Sequence, residues 1–177
     1  MKKILSILGT ITLIGTSTTS LVACNKPQEY TPEELAKLKE ENKIDTKDEN
    51  IKNNLEWITP QEKPFNEVEK RYYYIVWKKD KWEISKILKN FPIEVGKEYY
   101  IYKDNNYELK FFKGITSTNK IKDTFLFYSS NNPFSFRRWG ERNYDYINYI
   151  KSVYRWNLDT KGPDLIVDEN GNVKVNE

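Results

Sequence analysis

The chain has 177 residues, 38% of them hydrophobic and 31% charged, with Lys+Arg 29 against Asp+Glu 26, which suits one domain around a single core. It holds no histidine and one cysteine, Cys24, which excludes Ser-His-Asp and Cys-His nucleophiles, histidine-bound zinc or copper, and any disulfide within the chain. An aromatic fraction of 15% supplies the burial that such a domain needs, since each ring removes roughly 150–250 Å² from water.

The N-terminal segment has the parts of a secretory signal: Lys2 and Lys3, an apolar stretch from Ile4 to Ile14, and small residues before Cys24. Thr10, Thr12 and the Thr-Ser run at 16–20 dilute it as a membrane span, and no other apolar run approaches the ~20 residues that spanning needs. Leu21-Val22-Ala23-Cys24 resembles the lipobox of bacterial lipoproteins. That resemblance implies diacylglycerol on the Cys24 thiol and cleavage before it, leaving 154 residues. A plain secretory signal with an incidental cysteine, or an uncleaved anchor, is the alternative. Cleavage removes Lys2 and Lys3 and no acid, so the balance becomes 27 basic to 26 acidic residues, which gives no support to nucleic-acid binding.

Residues 25–30 read as a polar spacer. A helix is predicted from Thr31 as N-cap, with Pro32 in the first turn and Glu34 completing a capping box. Thr46 with Glu49 predicts a second, carrying Ile51, Leu55 and Ile58 at helical spacing and ending at Pro60. These form an expected N-terminal helical stalk, alternatively only partly ordered. From Arg71 the pattern is β. Tyr72–Trp77 and Trp82–Ile87 form a predicted hairpin in which a Lys79-Asp80 turn sets Trp77 opposite Trp82 and Ile75 opposite Ile84. A similar pattern recurs 25 residues on, with Tyr99, Lys103 and Glu108 matching Tyr74, Lys78 and Glu83 around a turn at Asp104-Asn105-Asn106. Lys122–Tyr128 is a predicted strand, residues 129–141 a loop, and Tyr144–Trp156 an amphipathic helix with Ile147, Ile150, Val153 and Tyr154 on one face. Asn170-Gly171 marks a terminal hairpin.

The lysine-, asparagine-, isoleucine- and tyrosine-rich composition resembles proteins of AT-rich genomes. Together with Thr31–Asn42 and the strand Tyr72–Trp77, it is similar to small surface lipoproteins of mollicutes, of the spiroplasma type. These motifs cover about a third of the chain; the resemblance implies an address and carries over no catalytic residue.

The expected fold is α+β: an antiparallel sheet of about five strands over 71–129, a covering C-terminal helix and the N-terminal helical stalk. The expected division is a signal over 1–23, a lipid-anchored spacer and stalk over 24–63 and the α+β domain over 64–177. The candidate binding loop holds Phe134, Phe136, Arg137, Arg138 and Trp139, where guanidinium forks beside rings suit an anionic surface or an acidic protein partner. Against it stands local packing of those rings beneath solvated arginines. The thirteen tyrosines fit strand packing better than a sugar-binding face, and Asp164, Asp168 and Glu169 lack the order of a calcium loop. No catalytic motif, metal site or cofactor is expected. The leading reading is a non-enzymatic surface lipoprotein that binds, adheres or scaffolds, with the membrane as partner through Cys24. A small carboxylate-dependent hydrolase is the alternative, and a substrate-binding lipoprotein of a transporter a more distant one.

Overall fold

The computed structural model describes residues 29–115, 121–131, 134–140 and 149–176, so Cys24 and the expected signal lie outside the described residues. Helix α1 (Pro32–Glu41) begins as the sequence predicts. The Thr31 hydroxyl accepts the Glu34 N–H at 3.2 Å, and the Glu34 carboxylate accepts the Thr31 N–H at 2.9 Å. Helix α2 (Glu49–Asn54) is capped by Asp48 and not by Thr46. The Asp48 carboxylate takes the Asn50 and Ile51 amides at 2.9 and 3.1 Å, a charged acceptor at the positive end of the helix, while the Thr46 hydroxyl accepts the Asp48 N–H at 3.1 Å. The expected continuation to Ile58 is a strand instead, β1 (Leu55–Ile58).

The remaining described strands are β2 (Arg71–Lys78), β3 (Trp82–Lys89), β4 (Glu98–Lys103), β5 (Tyr107–Ile115), β6 (Ile121–Asn131), β7 (Phe134–Arg138), β8 (Ile150–Trp156), β9 (Leu165–Val167) and β10 (Val173–Val175). They pair antiparallel as a central sheet of order β1-β8-β2-β3, a front sheet of order β4-β5-β6-β7 and the hairpin β9–β10.

The central sheet is covered on both faces. Tyr73, Ile75 and Trp77 of β2 pack with Ile150 and Val153 of β8 against Leu109, Phe111, Leu126 and Tyr128 of the front sheet. On the other face, Tyr74, Val76, Tyr154 and Trp156 pack against Ile44, Ile51, Leu55, Leu165 and Val173, from the helical segment and the terminal hairpin. Phe65 and Phe111 rings lie 4.6 Å apart between the sheets, Trp77 and Tyr102 5.1 Å, and Tyr128 stacks on Tyr149 at 4.4 Å. A strand covered on both faces reads as a continuous apolar run, which is why β2 is buried from Tyr73 through Trp77.

This architecture corrects the expected α+β fold. The molecule is mostly β, its strands divided between two four-stranded sheets and a hairpin and not gathered in one sheet of about five. Ile150–Trp156, expected in a covering C-terminal helix, is β8, inside the central sheet between β1 and β2; residues 144–148 of that expected helix lie outside the described residues. Ile150, Val153 and Tyr154 satisfy helical spacing, but a doubly covered strand also carries neighbouring apolar residues, and Val153 and Tyr154 are buried on opposite faces. The N-terminal segment is no stalk either: β1 pairs with β8, and Ile44, Ile51 and Leu55 belong to the core.

The first hairpin forms with a shifted register. Lys78 faces Trp82 and Trp77 faces Glu83, because the turn has three residues and the Lys79 N–H donates to the Lys81 carbonyl at 3.0 Å. A slip of one residue flips each side chain. Trp77 therefore lies between the sheets, with its Nε1–H on Ser85 at 2.9 Å, and Trp82 packs on the opposite face beside the terminal hairpin. The second hairpin, β4–β5, turns through Asp104, Asn105 and Asn106 as expected, with a bulge at Ile101. The terminal hairpin also forms where Asn170-Gly171 marks it. The expected loop after Tyr128 is instead the continuation of β6 and the edge strand β7.

Candidate functional site

Alternation places one set of front-sheet residues away from the central sheet. Tyr100, Lys110, Phe127 and Arg138 form one cross-strand row, Glu98, Phe112 and Phe125 the next, and Lys103, Glu108, Ser129 and Phe136 a third. Phe134 pairs with Asn131 at the end of the same face. Phe127 stacks on Phe136 at 4.9 Å and meets Phe112 and Phe125 edge-on at 6.2 and 6.4 Å. The Arg138 guanidinium lies 4.8 Å over the Phe125 ring. Phe134 is 81% exposed and Phe136 48%. None of these rings belongs to either core, and among the described residues no helix or strand is packed over this face.

The lysines and glutamates on the face are matched. Lys110 Nζ lies 2.8 Å from both Glu98 and Glu108, and Lys103 lies 2.7 Å from Glu108. Hydrogen bonds from the Lys103 and Lys110 ammoniums hold the Glu108 carboxyl down at about 2. Bonds from Lys110 and the Tyr100 hydroxyl lower Glu98 as well. What the face offers a partner is therefore aromatic carbon with a paired ionic border.

Beside Phe125 the face runs into a cleft of about 450 Å³, lined by Tyr30, Gln61, Lys63, Phe125, Arg138 and Trp139 among others. Gly140 follows Trp139 and lies against Pro60, two residues of the cleft wall. With φ +81° it takes a left-handed conformation, and a Cβ there would stand 2.4 Å from Pro60 Cγ. The Tyr30 backbone is pinned to Gln61 by a reciprocal pair of hydrogen bonds, 2.7 and 3.1 Å, and Lys63 pairs with Asp123 at 2.9 Å. A second groove, of about 620 Å³, lies on the far side of the molecule between residues 41–46 and the terminal hairpin. There Asp168 accepts the Asn170 and Asn172 amides, both at 2.9 Å, and is held at about 2, chiefly by the bond from Asn172.

The expected binding loop is thus divided by strand alternation. Phe134, Phe136 and Arg138 lie on the front face. Arg137 shares the inward side with Tyr128, its partner across the ladder, and its guanidinium donates to the Phe136 carbonyl at 3.1 Å. Trp139 packs inward, 5.9 Å from Phe65. The two arginines do not form a shared fork. Cys24 lies outside the described residues. Phe112, Phe125 and Phe127 are additional residues of this face that the sequence reading missed; the one trace of them is that β6 is apolar at both Phe125, Phe127 and Leu126, Tyr128.

Carboxylates also gather at the end of the central sheet. Arg155 bridges Glu56 at 2.8 Å and Glu69 at 3.2 Å; Lys39 joins Glu56 to Glu62; and the Tyr73 hydroxyl donates to Glu69 at 3.0 Å. Burial raises the Glu56 carboxyl, but bonds from Lys39, Asn157 and Arg155 outweigh it, and the net shift is downward. Among the described residues no cluster of three or more acidic, His or Cys residues is placed to hold a metal ion, and no helix is long and apolar enough to cross a membrane. No protein-family model, no curated protein and no solved structure matches this chain.

Proposed function

We propose that this protein is a lipid-anchored surface lipoprotein, tethered at the outer face of the cell membrane through Cys24, and that it works by binding. The front face is its contact surface. One observation carries the reading: a sheet face with five phenylalanines, two of them close to half exposed or more, lies outside both cores. Monomeric soluble domains seldom leave such a patch open unless it meets something. The lipobox-like Leu21-Val22-Ala23-Cys24 supports the anchor.

The five described carboxylates with shifted pKa values fit ion pairing better than general-acid catalysis. A general acid needs a raised pKa, whereas Glu56, Glu98, Asp104, Glu108 and Asp168 are all lowered by hydrogen bonds and cations.

Metabolic labelling with a tagged fatty acid tests the anchor, comparing the parent with Cys24→Ser in cells. The parent should carry label, fractionate with membranes and be trimmed by protease added to intact cells. Cys24→Ser should lose the label and appear as precursor or in the medium. Equal label in both, or a parent without label, would refute the assignment.

A further inference from the structure

We infer that the partner of the front face is the bilayer itself: the domain lies with Phe112, Phe125, Phe127, Phe134 and Phe136 against the outer leaflet. This rests on the lipid-anchor reading of Cys24. The connection to the anchor is short. From Cys24 to Tyr30 there are six Cα steps, a reach of at most about 22 Å at 3.3–3.6 Å per residue. A folded unit of this size is roughly 35–40 Å across, so the tether is shorter than the body it holds. Some face of the domain must therefore stay beside the membrane, and it is a face near Tyr30.

Tyr30 is not free to swing away, because its N–H and carbonyl are both bonded to the Gln61 side chain. It lines the same cleft as Phe125 and Arg138, so the chain enters the domain at the margin of the aromatic face. The opposite side of the molecule carries the terminal hairpin and the exposed Lys174.

The chemistry of the face suits lipid. Phenyl rings partition into the headgroup–acyl boundary, and a guanidinium or ammonium beside them reaches phosphate oxygens. Arg138 over Phe125 lies at that border, and Lys63 across the cleft is already paired with Asp123. Lys103, Lys110, Glu98 and Glu108 pair with one another, so the contact is mainly apolar and should outlast added salt, unlike a purely basic patch.

The test uses the full lipidated protein in phosphatidylcholine–phosphatidylglycerol vesicles whose acyl chains are brominated. Lipidation consumes the only thiol, so one introduced cysteine takes one fluorophore. The label goes at Ser129→Cys, or at Asn131→Cys at the exposed end of the same face, and in parallel at Lys174→Cys on the far side. Strong quenching at 129 and 131 with little at 174 is expected, largely unchanged in high salt. Phe134→Ser with Phe136→Ser should weaken docking about tenfold per ring and reduce the quenching. Equal quenching on both sides would overturn the proposal, leaving the face to a protein partner. If the parent chain itself takes up a maleimide at Cys24 and leaves the vesicles, the anchor fails, and the proposal with it.

Discussion

Gly162→Ala combined with Tyr74→Phe probes how the C-terminal segment closes the back of the central sheet. The Tyr74 hydroxyl donates to the Pro163 carbonyl at 2.6 Å, Lys86 Nζ donates to the Gly162 carbonyl at 2.6 Å, and Trp156 Nε1–H reaches Thr160 at 3.1 Å. A Cβ on Gly162 would stand 2.3 Å from the Tyr74 oxygen and 3.3 Å from Trp156 Cγ, so the hydroxyl must leave its place. Losing that bond costs about 1–3 kcal/mol. Crowding against Trp156 adds about 1 kcal/mol, and the stiffer unfolded chain returns roughly half of that. A net loss of about 1.5–3.5 kcal/mol should lower Tm by roughly 3–14 °C in a chain of this length. Tyr74→Phe alone should cost about 1 kcal/mol, since Lys86 still donates to the Pro163 carbonyl at 3.1 Å. The phenyl ring also removes the atom that Cβ meets, so the double variant should be at least about 1 kcal/mol more stable than the sum of the singles. Urea melts followed by tryptophan fluorescence give the cycle. Additivity within about 0.5 kcal/mol would show that residues 160–163 are not seated on Tyr74, and the account of the covered back face would fail.

Trp77→Ala should destabilise by about 3–5 kcal/mol in a denaturant melt, because the indole is fully buried between the sheets; Trp82→Ala, half-buried beside the terminal hairpin, should cost clearly less. Similar costs would contradict the half-buried placement of Trp82. Stability should fall on acidification from about pH 4.5 towards 2. Glu56, Glu98 and Glu108 have folded values below the unfolded carboxylate value of about 4.3, so their contribution is complete above it and vanishes as each is protonated in the fold. Glu108→Gln should flatten part of that slope, and an unchanged urea-midpoint profile would contradict the Lys103–Glu108–Lys110 arrangement.

Local devices were legible in the sequence. The Thr31–Glu34 box, the β4–β5 turn at Asp104 and the Asn170-Gly171 hairpin each involve residues within a few positions of one another. What escaped depends on distant partners. Ile150, Val153 and Tyr154 fit a helix face as well as a doubly buried strand, and only pairing with β1 and β2, more than 70 residues upstream, selects the strand. The Trp77–Trp82 relation turned on one residue of turn length. Phe134, Phe136 and Arg138 stood out as surface candidates, but the loop reading hid the alternation that separates Arg138 from Arg137 and Trp139. Phe112, Phe125 and Phe127 were not singled out, because two apolar faces on β6 do not by themselves show that one lacks a covering layer.

Melting Phe134→Ser/Phe136→Ser beside Phe111→Ser shows whether the front-face rings are spared from folding and kept for contact. Phe111 is fully buried between the sheets, and its loss should cost at least about 3–5 kcal/mol. The double variant removes two exposed rings from the opposite side of the same sheet and should stay within about 1 kcal/mol of the parent. A destabilisation of the double variant comparable to that of Phe111→Ser would make the front face part of the core and contradict its role as a binding surface.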